Sequence, residues 1–157
     1  MKKHMKAYIL GEQEAAATGF SHKFVIPYTD LTGFAATSGA VALYAYTAGT
    51  YFAAAAYKLV TGFDGGATSA LALDVGHNGA TTDDPDSLLD LYEIHVDATE
   101  VFYGDGNGAV FATLRTGYCA LDAGNIEATF TATGANLTAL TQGEVHVYLK
   151  IVDLTKI

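Results

Sequence analysis

The length, composition and charge of this chain limit the class of protein it can be. Its 157 residues suit one domain, and because half of them are hydrophobic, the chain is not disordered throughout. No apolar run approaches the roughly 20 residues that a membrane-spanning helix needs, so we expect no membrane partner. A formal net charge of −9 would repel phosphates, and we therefore expect no nucleic-acid partner either.

The first 20 residues differ from the rest of the chain. Lys2, Lys3 and Lys6 are three of its eight basic residues, and the apolar run after them is too short for a secretory signal. We therefore predict a protein made in the cytoplasm, with a flexible basic arm and linker over residues 1–20 and a single domain over residues 21–157. The arm is either a solubilising tail or a segment that docks on an acidic neighbour.

From residue 21 onward, apolar and polar residues alternate with the period of two that is typical of β-strands. In the last strand, Val145, Val147 and Leu149 fall on one side of the backbone and polar residues on the other. The alanines at residues 53–56 favour a helix by propensity, but their tyrosine and valine neighbours favour a strand. On a strand, such alanines either admit another surface closely or form a thin core layer. We predict strands over residues 22–28, 41–47, 51–61, 69–76, 99–103, 109–115, 116–122, 125–133 and 142–153.

One segment breaks this period and carries the signals that begin a helix. Asp84 can cap a helix N-terminus, Pro85 suits the first helical position, and Asp86 suits the positively polarised first turn. The β-branched residues Ile94 and Val96 then return the chain to an extended pattern, which leaves room for only two turns. We predict one short helix near residues 84–91.

The predicted fold class is all-β. Eight or nine short strands, with turn signals about every ten residues, are typical of an antiparallel β-sandwich or barrel. No segment repeats at a fixed period, so we expect one compact unit rather than an array.

The sequence contains no motif that identifies an enzyme or a metal site. The sole cysteine, Cys119, has no activating neighbours and is predicted to be a small buried residue. The serine-elbow motif and a phosphate loop are absent, as is tryptophan, a frequent platform for sugars. The five histidines lie far apart, and the aspartates near residues 83–86 and 105 suit turns without the spacing of a calcium loop. We therefore predict no catalytic residue, no cofactor and no metal ligand.

The composition of the surface favours self-association. The chain has ten tyrosines, and only 16% of its residues are charged. Tyrosine is enriched where protein surfaces meet because it combines a large contact area with a polar tip. We therefore predict a homo-oligomer.

Three stretches of the chain carry a resemblance to a known group of proteins. They are the opening Phe24-Val-Ile-Pro-Tyr-Thr-Asp-Leu-Thr32, the middle Ser69-Ala-Leu-Ala-Leu-Asp-Val-Gly76 with the Asp-rich segment 83–89, and the closing Leu140-Thr-Gln-Gly-Glu-Val-His-Val-Tyr-Leu-Lys-Ile-Val-Asp-Leu154. In their order and content they resemble small jelly-roll proteins of tailed bacteriophages, over most of the chain after residue 20. The resemblance implies an antiparallel β-sandwich of jelly-roll type. It also implies a capsid decoration, or cement, protein on the exterior of the virion, which binds the major capsid protein as a dimer or trimer.

The same resemblance implies a role for the N-terminal arm, in which Lys2, Lys3, Lys6 and Tyr8 contact the capsid shell. Two other classes of function stay open. A head-fibre base, tail or baseplate protein would use the same sandwich and the same self-association. A carbohydrate-binding module would instead bind glycans, and it would not need to oligomerise.

Overall fold

The computed structural model describes residues 5–96 and 118–157, so the strands predicted over residues 99–103 and 109–115 lie outside the described chain. Within the described part there are nine strands, one α-helix and three single turns of 3-10 helix. The strands are β1 (Lys6–Ile9), β2 (His22–Pro27), β3 (Ser38–Tyr46), β4 (Thr50–Asp64), β5 (Ala70–Gly79), β6 (Asp83–Glu93), β7 (Tyr118–Cys119), β8 (Gly124–Thr133) and β9 (Gln142–Asp153). The helices are α1 (Glu12–Thr18) and the 3-10 turns Tyr28–Asp30, Leu137–Ala139 and Leu154–Lys156.

The strands form two antiparallel sheets. Sheet A has the order β1-β2-β9-β4-β7, and sheet B has the order β3-β8-β5-β6. The pairing is nested, with β2 beside β9, β3 beside β8, β4 beside β7 and β5 beside β6. Nested antiparallel pairs that are divided between two facing sheets define the jelly-roll topology. The predicted antiparallel sandwich of jelly-roll type is confirmed.

The core lies between the two sheets and follows the predicted alternation. On β9, Val145, Val147 and Leu149 are fully buried, while the side chains between them point away from the core. Aromatic rings from the two sheets meet in the middle of the sandwich. Phe63 of β4 and Phe130 of β8 are both fully buried, and their ring centroids are 6.1 Å apart. The residues whose period of two predicted the strands are therefore the residues that hold the sheets together.

The short helix predicted near residues 84–91 is wrong, because this segment is strand β6 at the edge of sheet B. It pairs with β5, where Val75 lies opposite Leu89. An isolated helix of two turns is marginal in water, whereas the strand gains backbone hydrogen bonds from β5 and buries both Leu88 and Leu89. Pro85 has no N–H group to donate. It is tolerated because β6 is an edge strand, whose outer side has no neighbouring strand to receive a hydrogen bond.

The helix α1 forms within the segment predicted to be a linker. Its sequence is rich in alanine and glutamate, which are good helix formers, and two glutamates occupy its positively polarised first turn. Gly19 ends the helix with a φ of 77°, a left-handed conformation that glycine adopts without strain. The described part of residues 1–20 therefore consists of a strand and a helix.

Candidate functional site

The predicted capsid-contact residues fall at the N-terminal edge of sheet A. Lys2 and Lys3 lie outside the described residues, whereas Lys6 and Tyr8 belong to β1. All four side chains of β1 are exposed, and Tyr8 keeps 45% of its surface open to solvent. The described end of the arm is therefore an edge strand, held by backbone pairing with β2.

The strand register brings residues of three other strands into line with Lys6. Lys6 lies opposite Val25 of β2, which lies opposite His146 of β9, which in turn lies opposite Lys58 of β4. Residues opposite one another in antiparallel strands point to the same face, so these four, called here the lysine row, cross the outer face of sheet A. With strands about 4.8 Å apart, the row spans about 14 Å. His146 Nε2 lies 2.9 Å from a carboxylate oxygen of Glu144, which also belongs to this face.

A second row runs beside the lysine row. Tyr8 lies opposite Lys23, Lys23 opposite Tyr148, and Tyr148 opposite Ala56. The Lys23 ammonium is 6.0 Å from the centroid of the Tyr148 ring, which is the range of a cation–π interaction. Tyr8 and Lys23 are the residues of this row that solvent can reach, because Tyr148 and Ala56 are buried.

Charge is divided unequally between the two sheets. Of the five lysines and arginines among the described residues, four lie on the outer face of sheet A, namely Lys6, Lys23, Lys58 and Lys150. Glu144 and the two glutamates of α1 make this face mixed rather than purely basic. The strands of sheet B have no lysine or arginine, and they carry seven carboxylates: Asp74, Asp83, Asp84, Asp86, Asp90, Glu93 and Glu127.

The N-terminal segment covers another part of the outer face of sheet A. Leu10 and Phe20, which flank α1, pack with Ala56 and Tyr148 in a small cluster separate from the main core. The rings of Phe20 and Tyr148 have centroids 5.9 Å apart. Ala56 is fully buried although its side chain points away from the core. The small side chain of Ala56 therefore admits another surface closely, rather than forming a thin core layer. That surface is the chain's own segment of residues 10–20.

Ser21 and His22 fix the junction between α1 and β2. Ser21 Oγ accepts the N–H of Ile151 at 2.9 Å and donates to the carbonyl oxygen of Leu149 at 3.1 Å. The His22 ring packs edge-on against Tyr44 of β3, with centroids 5.2 Å apart. Burial lowers the pKa of His22, so the neutral ring is favoured at this contact between the two sheets.

Two other histidines are buried and bonded to protein groups. His77 Nδ1 lies 2.9 Å from Ser87 Oγ, and His95 Nε2 lies 3.2 Å from the carbonyl oxygen of Thr68. Within residues 5–96 and 118–157, no three side chains of histidine, cysteine, aspartate or glutamate come together as a metal site requires.

Cys119 and the aspartates of residues 83–86 lie on edge strands of the two sheets. Cys119 is exposed, so the prediction of a buried cysteine is wrong. It lies on the edge strand β7, whose two described residues pair with the start of β4. The aspartates of residues 83–86 lie on β6 rather than in a loop, and Asp105 lies outside the described chain.

Asp74 on β5 is a carboxylate of sheet B whose surroundings disfavour its charged form. Its Oδ1 accepts the N–H of Leu91 at 2.6 Å. Burial raises the pKa of Asp74, and the nearby charges of Asp90 and Asp86 raise it further, although the hydrogen bond from Leu91 opposes them. Because the pKa in the folded protein lies above that in the unfolded chain, ionised Asp74 favours unfolding. The penalty is absent at low pH and appears as the pH rises through this pKa.

We expect Asp74→Asn to stabilise the protein slightly at pH 7, since the amide oxygen can still accept the N–H of Leu91 while the charge is gone. The gain should be a few tenths of a kcal/mol, because solvent screens a carboxylate that is only partly buried. Urea unfolding at pH 7 and pH 3.5 measures it, and the difference between variant and wild type should shrink at the lower pH. Asp83→Asn, at the exposed start of β6, is the control. An equal gain in both variants would point to net charge rather than to Asp74.

No helix in the described chain has both the length and the apolar character needed to cross a membrane. In comparisons with known proteins, no family model matches the chain. No curated protein matches it, and no solved structure does so either. The jelly roll and the distribution of charge over its two sheets are therefore the grounds on which a function can be proposed.

Proposed function

We propose that this chain is a structural virion protein that decorates the outside of a capsid and binds the shell of major capsid protein through the outer face of sheet A. The observation that carries the proposal is the lysine row. Two of the four residues assigned to capsid contact from the sequence, Lys6 and Tyr8, lie on this face in register with Lys23, Lys58 and His146. The jelly-roll topology also supports it, because capsid proteins commonly use this fold.

The charge division suggests how such a protein would be oriented. A body with a net charge of −9 is repelled by an acidic shell, except where its lysines face that shell. Complementary potentials of this kind fix orientation and speed up association more than they add affinity. Sheet A would therefore face the shell, and the seven carboxylates of sheet B would face away from it.

The proposed mechanism is mechanical rather than chemical. A packed capsid pushes its subunits apart, and a protein that bridges neighbouring subunits adds binding free energy that must be overcome before they separate. Contacts to two subunits at once act with a high effective concentration, so modest individual contacts are sufficient.

Co-sedimentation with bare capsids from the same source tests the proposed face. We expect Lys6→Glu combined with Lys23→Glu to weaken binding about tenfold or more, and wild-type binding to fall as salt is raised. Lys6 is exposed, so its substitution should leave the fold intact. The control is Lys156→Glu, which makes one such charge reversal outside sheet A. Equal binding by the double variant and wild type would contradict the proposal.

A pair of deletions separates the arm from the sheet. Removing residues 1–4 takes away Lys2 and Lys3 but leaves β1 whole, whereas removing residues 1–12 also takes away Lys6 and Tyr8. If the face of sheet A carries the binding, the longer deletion should lose much more affinity than the shorter one. Binding to purified tails, or to a glycan array, in place of capsids would favour the tail or carbohydrate-binding alternative.

A further inference from the structure

Three of the four sheet edges in the described chain are poorly suited to pair with another strand. β1 has four residues, and the described part of β7 has two. β6 carries five carboxylates, a proline that cannot donate a hydrogen bond, and Leu91 at a φ of 52°. Short strands, charges, prolines and local distortions are the features by which proteins keep foreign strands from adding to their sheets.

The first half of β3, Ser38–Ala42, lacks all of these features. The whole strand has nine residues, Ser38–Tyr46, with no charged side chain and no proline, and among the described strands only β8 lies beside it. Between Ser38 and Ala42 its pairing with β8 is regular, and the irregularity comes after Ala42. The outward side chains of this regular part, Ser38, Ala40 and Ala42, are small and exposed. Its free edge therefore presents backbone N–H and C=O groups without side chains that would block a second strand.

We propose that the free edge of β3 pairs antiparallel with β3 of a second copy of this chain. Centring the pair on the regular part puts Ala40 opposite Ala40 of the second copy, and Ser38 opposite Ala42. The two B sheets then form one continuous eight-stranded sheet about a two-fold axis, which is the commonest symmetry of homo-oligomers.

Charge favours a second copy at this edge over other contacts between copies. Two bodies of net charge −9 repel each other, and β6, with its five carboxylates, lies at the far edge of sheet B from β3. The carboxylate on the strand next to β3 is Glu127, which lies opposite Ala42. From the strand spacing and the rise per residue, the two Glu127 side chains of the pair would be about 20 Å apart. That is more than twice the Debye length of about 8 Å at physiological salt, so their repulsion is screened.

This inference does not rest on the capsid role, and its test needs no capsid. Pairing of one edge strand buries little surface, so we expect a weak, concentration-dependent dimer. Sedimentation velocity over about 1 to 300 µM should show the mass rise from 16.4 kDa toward twice that value. Hydrogen exchange at the higher concentrations should show added protection in residues 38–46.

Two substitutions of opposite charge locate the contact. Ala40→Lys and Ala40→Glu each place like charges opposite one another across the axis, and each should raise the dissociation constant about tenfold. Mixing the two variants should restore dimers, because the charges then attract. The matched control is Thr129→Lys on β8, directly beside Ala40 but one strand away from the edge, which should dimerise like wild type.

Several results would overturn the proposal. They are a wild-type protein that stays monomeric over the whole concentration range, a trimer, or added protection outside residues 38–46. Dimers of Ala40→Lys as tight as those of wild type would also exclude this edge. Failure of the mixed variants to associate, although each is folded, would do the same.

Discussion

Gly76→Ala should lower the free energy of unfolding by about 3 kcal/mol and the melting temperature by roughly 10 °C. Gly76 lies in the middle of β5, on the side of the strand away from the core, and it is buried because β6 passes over it. A methyl group at this position would overlap the carbonyl oxygen of Asp84 and the carbonyl carbon of Pro85. Both are backbone atoms, so β6 has to move away from β5 to make room.

The control for this prediction is Gly33→Ala. An added methyl group at Gly33 would have no neighbouring atom within 4 Å, and this glycine has no positive φ, so its substitution should change stability little. Thermal and urea unfolding of both variants measure the difference. If Gly76→Ala is as stable as Gly33→Ala, the backbone of Asp84 and Pro85 does not lie against Gly76 as described.

The strands whose side chains alternate regularly could be predicted from the sequence. β8 and β9 were expected over residues 125–133 and 142–153 and are observed at Gly124–Thr133 and Gln142–Asp153. In such strands the local pattern and the tertiary burial agree, because one face packs on the core and the other meets solvent. From several such strands in one chain a sandwich follows, since each needs a second layer to cover its apolar face.

β6 and α1 could not be predicted because partners distant in the sequence determine them. The Asp-Pro-Asp segment has the local signals of a helix start, but the backbone of β5 offers hydrogen bonds that a short helix lacks. Gly76 ends the strand predicted over residues 69–76 and lies inside the observed strand β5. A glycine at such a position was the available signal that another backbone approaches there. For α1, the alanine- and glutamate-rich run before Gly19 was a helix signal, but its docking on Ala56 depends on the fold.

The candidate site was predictable only in part, for the same reason. The resemblance implied the contact role of Lys6 and Tyr8, and the cluster of lysines at the N-terminus marked this segment as distinct from the acidic body. The strand order and register of sheet A place Lys23, Lys58 and His146 beside them. In this sheet, β2 and β9 are neighbours although their residues are more than 100 positions apart. The available signal was the parity of each strand, since every one of these residues occupies a position that faces away from the core.

Phe20→Ala should free residues 10–20 from the outer face of sheet A while leaving β1 and the sandwich folded. Phe20 is 7% exposed and packs on Tyr148 in a cluster of four residues outside the main core. Truncating a buried phenylalanine costs about 3 kcal/mol or more, which would undo most of the docking of α1. We expect amide hydrogens of residues 10–20 to exchange about 100-fold faster, with those of β9 little changed.

Phe24→Ala is the matched control, four residues later and on the opposite face of sheet A. Phe24 is 1% exposed and belongs to the main core, so its loss should destabilise the whole sandwich and speed exchange in both sheets. If Phe20→Ala also lowers global stability by the full amount, residues 10–20 are an integral part of the domain rather than a separately docked segment.

The lysine row is held by backbone pairing of β1, β2, β9 and β4, not by α1. Freeing α1 should therefore leave capsid binding unchanged, and a loss of binding in Phe20→Ala would move the proposed contact from the row to the helix.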